Sequence, residues 1–136
     1  IHGDEMQLDI PAKLLKNGKL HVDLLKFPHH GSSNNMTQGF LENITADHYV
    51  ISANGEHDNP DAATVEMLVK ARGADAYTLY VTNEKLRNPK KTGAAADIES
   101  QVKKVLADHP SAKRKVVWRD AAALSVRVDL GDKVDY

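Results

Sequence analysis

The sequence predicts an α/β domain with a mixed sheet flanked by helices. Three observations lead there. Apolar, β-rich runs alternate with helical periodicity along the chain. Helix start and stop residues, such as Asn59-Pro60 and Gly73, fall between those runs. Near the end, Val116 to Trp118 and Leu124 to Leu130 alternate apolar and polar residues, with a turn near Arg119-Asp120 between them. That pattern predicts an antiparallel hairpin at a sheet edge.

The elements follow in order. Pro11 to Asn17 carries Leu14 and Leu15 between Lys13 and Lys16, which predicts a helical turn closed by Asn17-Gly18. His21 to Phe27 reads as a strand bounded by Gly18 and Pro28, and Gly31 to Met36 as a polar loop. Thr37 suits the N-cap of a short helix with Phe40, Leu41 and Ile44 on one face. His48 to Ala53 reads as a buried strand. Asn59-Pro60-Asp61 predicts the next helix start, with Val65, Leu68 and Val69 facing inward and Gly73 as the stop. Tyr77 to Thr82 is a further strand. Asn83 to Gly93 is polar and reads as a flexible insertion. Ala94 to His109 is helical, with Ile98, Val102, Val105 and Leu106 inward.

The chain has 136 residues, 41% hydrophobic and 27% charged, which suits one domain with its own core. A net charge of -1 gives no global attraction to nucleic acid or membrane. The clusters Lys90-Lys91, Lys103-Lys104 and Lys113-Arg114-Lys115 lack the interleaved aromatics of a base-stacking surface, so they read as solvated faces. There is no cysteine, so any metal must sit on histidine and carboxylate. A cysteine-free chain fits a reducing compartment, and the expected location is cytoplasmic.

The chemistry concentrates in Pro28-His29-His30-Gly31-Ser32, which follows a strand directly. Paired imidazoles at a strand end, with a glycine and a hydroxyl beyond, suit metal binding and hydrolysis. Gly3-Asp4 supplies a second strand-end carboxylate upstream. Along an extended segment His29 and His30 would point to different sides. His57 and Asp58, in the loop after the strand ending at Ala53, are candidates for proton transfer. His21, His48 and His109 read as structural or exposed. The opening Ile-His-Gly-Asp reads as the end of a strand that begins upstream of Ile1.

Three of these stretches together resemble the metallo-β-lactamase superfamily, in the branch related to the hydrolase domain of the competence protein ComEC. They are Gly3-Asp4, the strand Leu24 to Phe27 with its Pro-His-His-Gly-Ser continuation, and Tyr49-Val50-Ile51-Ser52 with its polar loop and proline-started helix. The resemblance is close from Ile1 to Gly73 and looser beyond. It departs where the family often has Gly-His-Pro-His and this chain has His57-Asp58-Asn59-Pro60-Asp61. The family's His-x-His-x-Asp-His cluster does not occur in the sequence.

The resemblance implies one partial domain, residues 1–136, forming the C-terminal half of an αββα sandwich. It implies a two-ion zinc site, with manganese an alternative, in which Asp4 bridges the ions and His30 ligates one. His29, Ser32 and His57 would serve the catalytic chemistry around them. The implied activity is hydrolysis of a phosphodiester or related ester, in a small molecule or a nucleic acid, through a metal-bound hydroxide. The isolated chain is expected to be inactive without the missing half, and homodimerisation over an exposed sheet face is a further expectation. The alternative is a binding or assembly module that kept the sheet and lost the site.

Overall fold

A computed structural model of the protein describes residues 11–131. It is α/β, with one five-stranded mixed sheet and three helices. The strands are β1 (Leu15–Lys16), β2 (Lys19–Lys26), β3 (Ile44–Ile51), β4 (Tyr77–Val81) and β5 (Arg114–Trp118). The helices are α1 (Gln38–Asn43), α2 (Ala62–Arg72) and α3 (Ile98–Asp108). The sheet order is β1-β2-β3-β4-β5, so neighbours in space are neighbours in sequence. The pair β1–β2 is antiparallel and the other three pairs are parallel.

Sequential parallel strands joined by crossovers of one hand place their helices on one face of the sheet. The packing agrees, since α2 lies between α1 and α3 and contacts both. The register sets Leu25, Tyr49, Leu79 and Val116 in one row across the strands, and all four join the core beneath the helices. Val65 and Leu68 of α2 and Ile98 and Val102 of α3 close that core from the other side. The opposite sheet face carries the row Leu24, His48, Thr78 and Lys115.

Two predicted devices stand. The Thr37 hydroxyl accepts from the Phe40 amide at 3.1 Å and caps α1. Gly73 ends α2, with its amide donating to the Val69 carbonyl at 3.0 Å.

Four expectations are corrected. Asn17-Gly18 is a two-residue hairpin turn between β1 and β2 rather than a helix stop. Both its residues have positive φ, which matches the twist of the flanking strands; only a short 3-10 turn, Ala12–Leu14, precedes it. The sheet's antiparallel pair is therefore at the N-terminal edge. At the other edge β5 pairs parallel to β4, and Leu124 to Leu130 forms no strand among the described residues. A turn does form there, with the Ala123 amide donating to Asp120 O at 3.0 Å, but alternation confers strand propensity without supplying a partner.

The Asn83–Gly93 segment is pinned rather than flexible. Leu86 is buried, and the Glu99 amide donates to Leu86 O at 3.0 Å. The Asn88 amide donates to Ala96 O at 2.9 Å, and Arg87 bridges to Asp97. Finally, α2 starts at Ala62, with Asp61 rather than Asn59 at its N-cap position.

Candidate functional site

Three adjacent parallel strands, β2, β3 and β4, end on the same side of the sheet. Their following loops face one another there. Ligand sites of α/β sheets lie beyond the carboxyl ends of the parallel strands; here the strand order does not reverse, and the loops themselves form the crevice. A cleft of about 290 Å³ occupies the position. His30 enters it from the loop after β2, Ser52 to Asn59 from the loop after β3, and Asn83 from the loop after β4.

His30 is oriented by one contact. Its Nδ1 lies 2.6 Å from the Ser52 carbonyl oxygen. A carbonyl only accepts, so Nδ1 carries a proton; in the neutral imidazole that leaves the lone pair on Nε2. A histidine held this way presents the form of imidazole that ligates metals.

The backbone around His30 is unusual. His29, His30 and Gly31 run consecutively through left-handed conformations, with φ of 43°, 59° and 83°. The two imidazoles are therefore not on an extended segment, and the expected alternation of sides does not apply. Across the cleft, His57 (φ 56°) and Asp58 (φ 66°) are also left-handed. Non-glycine residues in this region are uncommon and concentrate at functional sites.

Asp58 holds the second loop in place. Its carboxylate accepts from Asn88 Nδ2 and from Lys91 Nζ, each at 2.7 Å. The Lys91 ammonium first, and then the Asn88 amide, hold this carboxyl below the usual carboxylate range. Gly55 lies against the Leu86–Arg87 backbone, and the Arg87 amide donates to Asn54 O at 3.2 Å. Asn54 Oδ1 accepts from the Glu56 amide at 2.9 Å, an Asx turn that starts the loop.

The sequence-predicted residues divide as follows. His30 and His57 line the same cleft. His29 is exposed and Ser32 half-buried, and neither is in the cleft lining. The Ser32 amide instead closes the turn onto His29 O at 3.1 Å. Asp4 lies outside the described residues. Among the described residues, no three histidine, aspartate or glutamate side chains converge as a metal site.

Sequence reading missed the carboxamides of Asn54, Asn59 and Asn83, and also Glu56. Only Asn59 carried a signal, since it stands in the loop that departs from the family's Gly-His-Pro-His. No helix among the described residues is long and apolar enough to cross a membrane. No protein-family model, curated protein or solved structure matches the chain.

Proposed function

We propose that this chain is the C-terminal part of a metal-dependent hydrolase of the metallo-β-lactamase type, acting on phosphodiester or related ester bonds. In this reading the five-stranded sheet is one sheet of an αββα sandwich, and its helix-free face meets the other. The single observation that carries the reading is His30, its Nδ1 proton fixed on Ser52 O at 2.6 Å and its Nε2 lone pair left for a metal in a strand-end cleft.

The donor chemistry fits zinc or manganese as far as this chain supplies it. His30 would hold the ion through Nε2, and Asp4 would add a carboxylate. When bound, the metal supplies Lewis-acid stabilisation of the attacked ester and an acidified water. The chain's own residues do the rest. His57, on the facing loop, passes a proton to the departing oxygen. The amide groups of Asn54, Asn59 and Asn83 donate to substrate oxygens and fix their orientation. The Asp58–Lys91–Asn88 clamp keeps the His57 loop at the cleft.

The test uses the longer protein that contains this chain and its upstream half. Wild type is expected to carry about two metal ions per chain. His30→Ala is expected to lower phosphodiester turnover by about 100-fold or more. Unchanged turnover in that variant would overturn the reading. A second reading, a binding module on a degenerate fold, is favoured by Asn59 in the family's histidine-rich loop. A folded, metal-free parent would decide for it.

A further inference from the structure

We propose that Asn54 is a covalent modification site, whose carboxamide deamidates spontaneously and turns into a carboxylate at the cleft. The sequence holds two Asn-Gly pairs, Asn17-Gly18 and Asn54-Gly55. Glycine favours the reaction because no side chain shields its amide nitrogen. The Gly55 nitrogen attacks Cγ of Asn54 and forms a C–N bond. The Gly55 amide proton passes to solvent, the bond from Cγ to Nδ2 breaks, and ammonia leaves. Water then opens the resulting succinimide at either carbonyl, which gives aspartate or isoaspartate at that position.

The fold separates the two pairs. Asn17 is left-handed, with φ of 53°. In that region ψ is about +30 to +60°, which turns the side chain away from the following nitrogen. The Leu15–Leu20 and Lys16–Lys19 pairs brace this turn on either side. Asn17 must therefore leave its hairpin conformation before the ring can close. Asn54 is exposed and is not among the left-handed residues. Its Oδ1 accepts from the Glu56 amide at 2.9 Å, and this Asx turn folds the carboxamide back over the Gly55 peptide. The same N–H sits on the oxygen that becomes negative when Cγ is attacked, as a donor in an oxyanion site does. The attacking Gly55 amide donates to no acceptor among the described residues.

The products alter the loop that carries His57. Gly55 lies so close to the Leu86–Arg87 backbone that a Cβ there would stand 2.1 Å from the Arg87 nitrogen. Isoaspartate adds a methylene to the main chain beside this contact, and the loop must move to admit it. Aspartate places a carboxylate where Nδ2 now lies 3.3 Å from Glu56 Oε2, so an attraction becomes a repulsion. Both products weaken the fastening of the loop and add negative charge to the cleft.

The test incubates the folded chain at mildly alkaline pH and maps its peptides by mass spectrometry, with isoaspartyl forms separated by chromatography. A parallel sample is unfolded in urea. In the folded chain Asn54 is expected to convert at least about threefold faster than Asn17, and in urea the two rates should converge. Hydrogen exchange of the modified chain should be faster at the Asp58 and Asn59 amides, which close the loop onto Gly55 O and Glu56 O at 3.2 Å each. His30→Ala should deamidate as wild type does, so a failure here is distinct from failure of the hydrolase reading. An Asn17 that reacts as fast as Asn54 in the folded chain, a lead for Asn54 that persists in urea, or unchanged exchange at Asp58 and Asn59 would each overturn the proposal.

Discussion

Ser33 gives both its backbone amide and its hydroxyl to one oxygen of Asp61, each at 2.7 Å. Asp61 in turn donates its amide to Gly31 O at 3.1 Å. The loop that carries His30 is thus fastened to the start of α2, and through it to the loop that carries His57. The Asp61 carboxylate does not cap its own helix; it serves the neighbouring loop instead. Asp61→Ala should therefore remove about 1–3 kcal/mol, the effect of orphaning two donors to a charged acceptor. Urea unfolding measures that loss, and a change below a few tenths of a kcal/mol would show that the fastening is dispensable.

Two glycines let the site loops approach their neighbours. A Cβ on Gly55 would lie 2.1 Å from the Arg87 backbone nitrogen, and one on Gly31 would lie 2.8 Å from Pro60 Cβ. Both residues also have φ above +80°, where a side chain is strained. Gly55→Ala is expected to be the worse, because backbone cannot step aside as a ring atom can. Losses of roughly 3 kcal/mol or more for Gly55→Ala and roughly 1–3 kcal/mol for Gly31→Ala are expected. Equal melting temperatures for the two variants would contradict this ranking.

His29 and His30 carry backbone strain, with φ of 43° and 59°. His29→Gly should raise stability by about 1 kcal/mol, since glycine takes this conformation without penalty. His30→Gly should gain less, because it also loses the bond to Ser52 O; if the hydrolase proposal holds, zinc binding by the longer protein would be lost in His30→Gly and kept in His29→Gly. Denaturation and zinc titration of the two variants side by side check both halves of the statement. Destabilisation by both substitutions would mean that the imidazoles support the loop rather than burden it.

Stability should fall at both ends of the pH scale, for different reasons. Asp58, Glu66 and Asp97 are held below their usual range, chiefly by hydrogen bonds from Lys91, Lys70 and Ser100 respectively. On acidification the unfolded chain takes up these protons first, near the ordinary values of 3.8 and 4.5. The stabilisation is complete above that range and is lost as pH falls through the lower folded values. Tyr49 and Tyr77 behave oppositely, because burial pushes their phenols above the ordinary 10.0. Above that pH the unfolded chain ionises first, so stability declines as pH rises. Asp58→Asn should make the acid limb shallower, and tyrosinate absorbance should appear together with unfolding on the alkaline side.

Much of the layout was legible in the sequence because periodicity encodes burial. Val65, Leu68 and Val69 face the core as their spacing requires, and β4, a short run without a charged residue, is buried throughout. What escaped was set by partners. Nothing in Leu124 to Leu130 says which strand it would meet. Ser32 and Ser33 are indistinguishable in composition, yet only Ser33 reaches Asp61 through its side chain. His30 and His57 were findable because they follow strands closely. Asn83 was not, because its place in the cleft depends on three loops converging.

The sheet order has a consequence for how the molecule is made. Each strand lies beside the one synthesised just before it. A chain emerging from the ribosome can therefore add one strand-helix unit at a time to a growing edge, without waiting for a distant segment to be translated. Assembly in this order is vectorial, and among the described strands β5 is laid down last.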